Sequence, residues 1–302
     1  MIDIISAYAC LAAGIVANKF LLQSIAPDLF IGIRMFVSGL LLLPMAFKNS
    51  PRLRWEYIKQ DFGAIVFITL CTTLAPSLTK AFALKNMLAS KTTLLGSIDP
   101  FVTAIYAYFL WSERLSSKKI LGMLMGLVGV IIASLTTSAT ELKWGEFLFI
   151  SYPELATFAS VIVSRYGWIK VQTMLKGNRY TPMEMNSVTM VASGFFALLF
   201  AYFRGAQLPV STLVTPWFLM VFIFTIVAGN LLGYNLYSQC LKKHSATWMS
   251  LAGFLVPIFV LLFSKILGSE ALTWNFFVSA AILFAGLCIF YYDDLAKQKA
   301  AQ

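Results

Sequence analysis

Apolar residues run through this chain in blocks of about twenty, each ended by a short polar connection. Ten blocks can be drawn: 4–22, 29–47, 62–84, 90–111, 119–135, 147–168, 186–203, 217–241, 246–267 and 273–292. A helix rises 1.5 Å per residue, so about twenty apolar residues cross the ~30 Å hydrocarbon core of a bilayer. None of the connections is long enough to hold a folded soluble domain. The pattern predicts an all-α membrane protein of ten transmembrane helices, with the lipid bilayer as its solvent. The opening MIDIISAYAC has no basic n-region and no small-residue cleavage site, so the first block is expected to stay in the protein.

The pattern also repeats. Shifted by 157 residues, Ala89 falls on Ala246, Pro100 on Pro257, Glu113 on Glu270, Leu115 on Leu272 and Gly129 on Gly286. Upstream, Pro27 and Ser38-Gly39 match Pro182 and Ser193-Gly194 at an offset of 155. Two five-helix units follow, 3–135 and 145–292. Five is odd, so the second unit must enter the membrane inverted relative to the first. Inverted repeats mark secondary transporters, whose sites lie near the midplane between the repeats.

Composition agrees with the solvent. The 302 residues are 59% hydrophobic and 12% charged, against about 25% charged in soluble domains. The net charge of +10 raises the question of nucleic acid. Its placement answers for topology instead, and no nucleic-acid partner is expected. One set of connections, with the C-terminal tail, carries fourteen Lys and Arg from Lys48 to Lys299. The opposite set has Lys85, Lys143 and Arg204, with Lys91 at a helix end. The positive-inside rule then places both termini in the cytoplasm, with the plasma (inner) membrane as the location. Cys10, Cys71, Cys240 and Cys288 all lie within blocks, which argues for packing rather than a disulfide framework or a metal site.

At this point a resemblance carries weight. Ala12-Ala13-Gly14, Lys19, Pro27 and Arg34 are followed by Ala81-Phe82-Ala83-Leu84, Pro100, Ser112-Glu113-Arg114-Leu115 and Gly122, Gly126 and Gly129. Together they resemble an EamA-type repeat of the drug/metabolite transporter superfamily, with a more degraded copy ending in Gly268-Ser269-Glu270-Ala271-Leu272. The resemblance implies a ten-helix carrier of small polar metabolites that works by alternating access without ATP hydrolysis. Asp99, directly before Pro100, departs from the expected pattern, and an acid at that depth costs roughly 2.5–3.5 kcal/mol on insertion scales.

The polar residues inside the blocks supply the candidate site. Thr92, Gly96, Asp99, Thr103 and Tyr106 step by four and three, a spacing that puts them on one face of a helix. Their counterparts Met249, Gly253, Val256, Val260 and Phe263 form an apolar wall. Thr73, Ser77 and Lys80 match Asn230, Tyr234 and Tyr237 at the 157 offset, a pair of polar stripes suited to a central cavity. Arg34, Asp99 and Glu154 are expected about 8–14 Å inside the membrane, too deep to reach the surface. Lys19, Lys265 and Arg165 are read as snorkelling residues, and the Gly122/Gly126 and Gly229/Gly233 pairs as close packing within the chain.

These groups decide among function classes. An enzyme would need a nucleophile with its base or a metal set, yet the chain has one histidine, His244, in a connection, and no HExxH or phosphate-cradling loop. No cofactor or metal is expected. A non-transporting receptor or assembly protein would not need matched stripes. The reading is a secondary transporter, a monomer with a dimer as the alternative. Asp99 and Glu154 set against Arg34 and Lys80 suit a zwitterion, with Tyr106, Tyr234 and Tyr237 packing a ring or cation. An amino acid or a derivative such as S-adenosylmethionine fits; a phosphorylated or nucleotide-type anion is the alternative. A coupling proton or counter-substrate stays open as the driving partner.

Overall fold

The computed structural model describes residues 2–48, 51–112, 115–135, 139–148, 150–208, 210–244, 246–267, 270 and 274–300. Glu113, Arg114, Gly268, Ser269, Ala271 and Leu272, which carry much of the proline-to-glutamate match, lie outside them. The apolar blocks are helices: α1 Ile2–Leu22, α2 Pro27–Ala46, α3 Phe62–Asn86, α4 Ala89–Leu110, α5 Ser117–Ser134, α6 Tyr152–Lys176, α7 Pro182–Phe203, α8 Pro216–Lys243, α9 Trp248–Ile266 and α10 Trp274–Ala300. Nine of these described helices, all but α6, are long and apolar enough to cross a membrane. Length and composition thus mark nine of the ten expected spans and leave α6 aside. The reason is chemical: α6 is 25 residues long but carries Glu154, Arg165, Lys170 and Lys176.

Helix starts follow local chemistry. Ser151 with Glu154 and Thr181 with Glu184 form reciprocal capping boxes at α6 and α7, each followed by a proline at the first turn. Such boxes satisfy backbone donors that a helix start leaves open. The chain packs α2 along α7, α5 along α10, α6 on α3, and α1 against both α8 and α9. Small residues set the closest crossings. A Cβ on Gly122 would stand 2.5 Å from the Gly286 carbonyl of α10, and one on Gly14 would stand 3.0 Å from the Gly229 Cα of α8. These glycines pack within the chain, as the sequence pattern predicts.

Four helices are irregular, and the irregularities recur at matching positions. α4 breaks between Ala89–Gly96 and Asp99–Trp111, and α9 between Ala246–Ala252 and Leu255–Ile266. Pro100 and Pro257, just past each break, cannot donate to the preceding turn. α3 and α8 each contain a widened π-helical segment, Thr69–Leu74 and Thr225–Tyr234. In α3 the hydroxyls of Thr69, Thr72 and Thr73 donate to carbonyls four residues back, at 2.8, 2.8 and 2.9 Å, a contact that bends helices. Such local widening is frequent at functional sites.

Charged side chains hold one end of the bundle. The Lys19 ammonium donates to the carbonyls of Leu84 at 2.8 Å, Lys85 at 3.3 Å and Met87 at 2.5 Å, which closes the C-terminus of α3. Lys19 is therefore a helix cap rather than a snorkelling residue. Its three acceptors lie 65 or more positions away, beyond any local pattern. Glu270 accepts from the backbone N–H groups of Ala89 and Ser90 at the start of α4. At the opposite end, the Tyr8 hydroxyl donates to the Met249 carbonyl.

Candidate functional site

Between these ends lies a cavity of about 210 Å³, walled by α1, α2, α3, α4, α6, α8 and α9. Residues around the break in α4 (Gly96, Ser97 and Asp99) line it, as do Thr72 and Gly229, Asn230 and Tyr234 of the π-helical segments. Of the residues picked from sequence, Arg34, Ser77, Lys80, Thr92, Gly96, Asp99, Asn230, Tyr234 and Tyr237 line it.

Three do not. Glu154 is fully buried at the start of α6, where it completes the capping box with Ser151 and pairs with Lys91 at 2.9 Å. Lys91 also meets Glu141 at 2.6 Å, so this cluster ties α4 to the connection between the halves. Thr103 donates to the Asp99 carbonyl at 2.8 Å and shares a 3.0 Å hydrogen bond with Ser250. Tyr106 donates to the Ile162 carbonyl at 2.9 Å and packs on Tyr166. The cause is the break: the 3.6-residue stripe assumed a continuous helix, and α4 loses that register at Ser97–Ile98. Beyond it, Thr103 and Tyr106 face neighbouring helices.

Sequence reasoning missed Arg165. It lines the cavity, and its Nε lies 3.3 Å from Asp99 Oδ1. Its Nη1 donates to the Tyr237 hydroxyl at 3.3 Å and to Ser250 Oγ at 3.5 Å. It does not snorkel, because α6 runs on to Lys176 and puts Arg165 roughly 16–20 Å from either helix end. That depth was the available signal. Its side chain is 11% exposed and that of Asp99 is 23% exposed, so the pair is buried but wet on the acid's side. Tyr8, Asn18 and Trp168 also line the cavity and were not picked out.

The charge balance differs from the expected two against two. Among the described residues three cations, Arg34, Lys80 and Arg165, share the cavity with one carboxylate, Asp99. An aromatic wall adjoins them: Trp168 lies 4.8 Å from the Tyr237 ring and 6.2 Å from that of Tyr234. A mixed-charge cavity beside aromatic rings is equipped to hold a small polar molecule carrying an apolar or ring-bearing part. Buried charge of this kind inside a membrane marks a functional site.

The profile of the EamA-like transporter family matches residues 1–135 and 152–292. The chain belongs to this family. This EamA-like chain is 23% identical over 284 residues to an S-adenosylmethionine/S-adenosylhomocysteine transporter of Chlamydia trachomatis serovar L2, covering 93% of this chain and 85% of that one. A protein of the same description from Chlamydia muridarum is 21% identical over 282 residues, with 93% and 87% covered. Protein PecM of Dickeya dadantii is 23% identical over 259 residues, with 85% and 80% covered. A solved crystal structure aligns with a TM-score of 0.65 at 16% identity over 94% of each chain, a likeness of fold alone. Family and relatives point to transport rather than catalysis.

Proposed function

We propose that this chain is a secondary transporter of a zwitterionic, amino-acid-derived metabolite of the S-adenosylmethionine/S-adenosylhomocysteine class. It works by alternating access of the central cavity. In this reading α6 is a tenth membrane-spanning helix, with Glu154 and Arg165 turned toward protein and cavity. Residues 3–135 and 145–292 are then inverted repeats, and the Lys- and Arg-rich end, with both termini, is cytoplasmic. The paired breaks in α4 and α9 and the paired π-helical segments in α3 and α8 support the repeat.

The observation that carries the substrate class is a cavity holding both signs of charge against an aromatic wall. Two relatives named for these adenosyl compounds support it. A carboxylate end meets a surplus of cations, a cationic end meets the acceptor groups of the cavity, and a ring packs on Trp168 and Tyr234. The surplus of cations favours a second reading, a phosphorylated or nucleotide-type anion. Proteoliposomes with purified protein separate the two. We expect labelled S-adenosylmethionine to enter, with S-adenosylhomocysteine competing and sugar phosphates not competing. Competition by sugar phosphates alone would reverse the assignment.

A further inference from the structure

The cavity holds polar groups that the Asp99–Arg165 pair does not explain. Arg34 is 6% exposed, and its Nε has no hydrogen-bond partner. Among the described residues no carboxylate pairs with it, and its guanidinium carbon lies 5.2 Å from the centre of the Phe30 ring. Asn18 is 9% exposed and Asn230 0%, and the side-chain oxygen of each is buried without a donor. Buried polar groups are otherwise almost always paired, and one left open in a native structure needs a reason. Three such groups line one cavity.

Their placement follows from the fold. α1 and α8 cross at Gly14 and Gly229, where the backbones nearly touch. Asn18 lies one helical turn beyond Gly14, and Asn230 is adjacent to Gly229. The Asn230 amide nitrogen donates to the Met35 sulfur at 3.3 Å. That contact turns its oxygen away from Met35 and brings Asn230 against the residue next to Arg34. One donor-only group and two acceptor oxygens therefore line the same cavity from three helices.

We propose that Arg34, Asn18 and Asn230 form a receptor for an α-amino-acid head group. The guanidinium takes the carboxylate, and the two amide oxygens take the ammonium. The chemistry selects this occupant: a guanidinium only donates, an ammonium only donates, and an amide oxygen only accepts. A phosphate would satisfy Arg34 but leave both oxygens without donors, and a simple amine would leave Arg34 without an anion. The head group is thus held apart from the Asp99–Arg165 pair, which with Trp168 and Tyr237 is left for the remainder of the molecule. This inference rests on the zwitterion reading above and specifies its binding mode.

Equilibrium binding to the purified full-length protein tests it, with S-adenosylhomocysteine and its decarboxylated and deaminated analogues as probes. We expect wild type to prefer the parent compound over either analogue by about 30-fold, the scale of a hydrogen bond to a charged group. Arg34→Gln should lower affinity for the parent to that for the decarboxylated analogue while leaving the analogue's own affinity unchanged. Arg34→Lys should recover part of the loss. Asn18→Ala with Asn230→Ala should remove the preference over the deaminated analogue only. Should Arg34→Gln not purify as a monodisperse protein, the lysine and double asparagine variants carry the test. Full affinity in Arg34→Gln, or equal loss for parent and decarboxylated analogue, overturns the receptor and leaves the transport assignment standing. If wild type ignores adenosyl compounds but ranks free α-amino acids above the matching amines in an Arg34-dependent way, the receptor stands and the adenosyl substrate falls. Binding of neither class removes both.

Discussion

Asp99→Asn is expected to end transport and to weaken the fold, and Arg165→Gln should do the same. Each substitution leaves one charge of a largely buried pair without its partner. Breaking a fully buried pair costs about 3–5 kcal/mol, and with Asp99 partly open to the cavity we expect roughly 2–3 kcal/mol. The Asn variant still offers Arg165 the hydroxyls of Tyr237 and Ser250, so a folded protein should be recoverable. The double variant removes both charges together and should regain most of the lost stability. Its transport should not return, because the cavity then lacks its one carboxylate. Thermal midpoints of the four proteins, set beside uptake rates in proteoliposomes, give the comparison. We expect uptake at least ~100-fold down in all three variants, a barrier change of about 2.7 kcal/mol. Normal uptake by the double variant would make the pair a structural brace and nothing more. Normal uptake by Asp99→Asn alone would remove Asp99 from the mechanism.

That experiment turns on Arg165, and the way it escaped sequence reading is instructive. The apolar block ended at residue 168, so Arg165 looked like a boundary residue. The helix continues for eight more residues through polar sequence to Lys176. Hydropathy marks where lipid-facing composition stops, not where the backbone stops. Glu154 erred in the opposite direction, since depth alone suggested a cavity acid. The run Ser151-Tyr152-Pro153-Glu154 is a legible capping box, and a carboxylate used to cap a helix start is not available in the middle of a bundle. Partners such as Lys19 with the end of α3, or Glu270 with the start of α4, join segments far apart in sequence. No local period encodes them. What was legible was periodic: the apolar blocks, the repeat that pairs Pro100 with Pro257, and the glycines that allow close crossings.

Those glycines carry the second large effect we expect. Gly39→Leu and Gly194→Leu should each abolish recovery of folded protein. The two positions, matched at the 155 offset, face each other's helix in reciprocal fashion. A Cβ on Gly39 would stand 2.6 Å from the Val191 nitrogen of α7, and a Cβ on Gly194 would fall on the Phe36 backbone of α2. Backbone cannot yield as a flexible side chain can, so the helices would have to separate. Small residues at such interfaces let backbones approach closely enough for dispersion to hold helices together in lipid. Overpacking a close interface costs about 1–3 kcal/mol per site in ordinary cores, and a clash with backbone belongs at or above the upper end. The cost should fall on the fold, because α2 carries Arg34 into the cavity and α7 is its principal support. Gly63→Leu is the control, since a Cβ there meets nothing within 4 Å. Monodisperse yield by size exclusion should be near wild type for Gly63→Leu and near zero for the other two. If Gly39→Leu and Gly194→Leu both fold but fail to transport, the α2–α7 contact is a moving surface rather than a fixed one. Loss in one variant and tolerance in the other would break the reciprocity that an inverted repeat demands, since a two-fold relation makes the same contact twice.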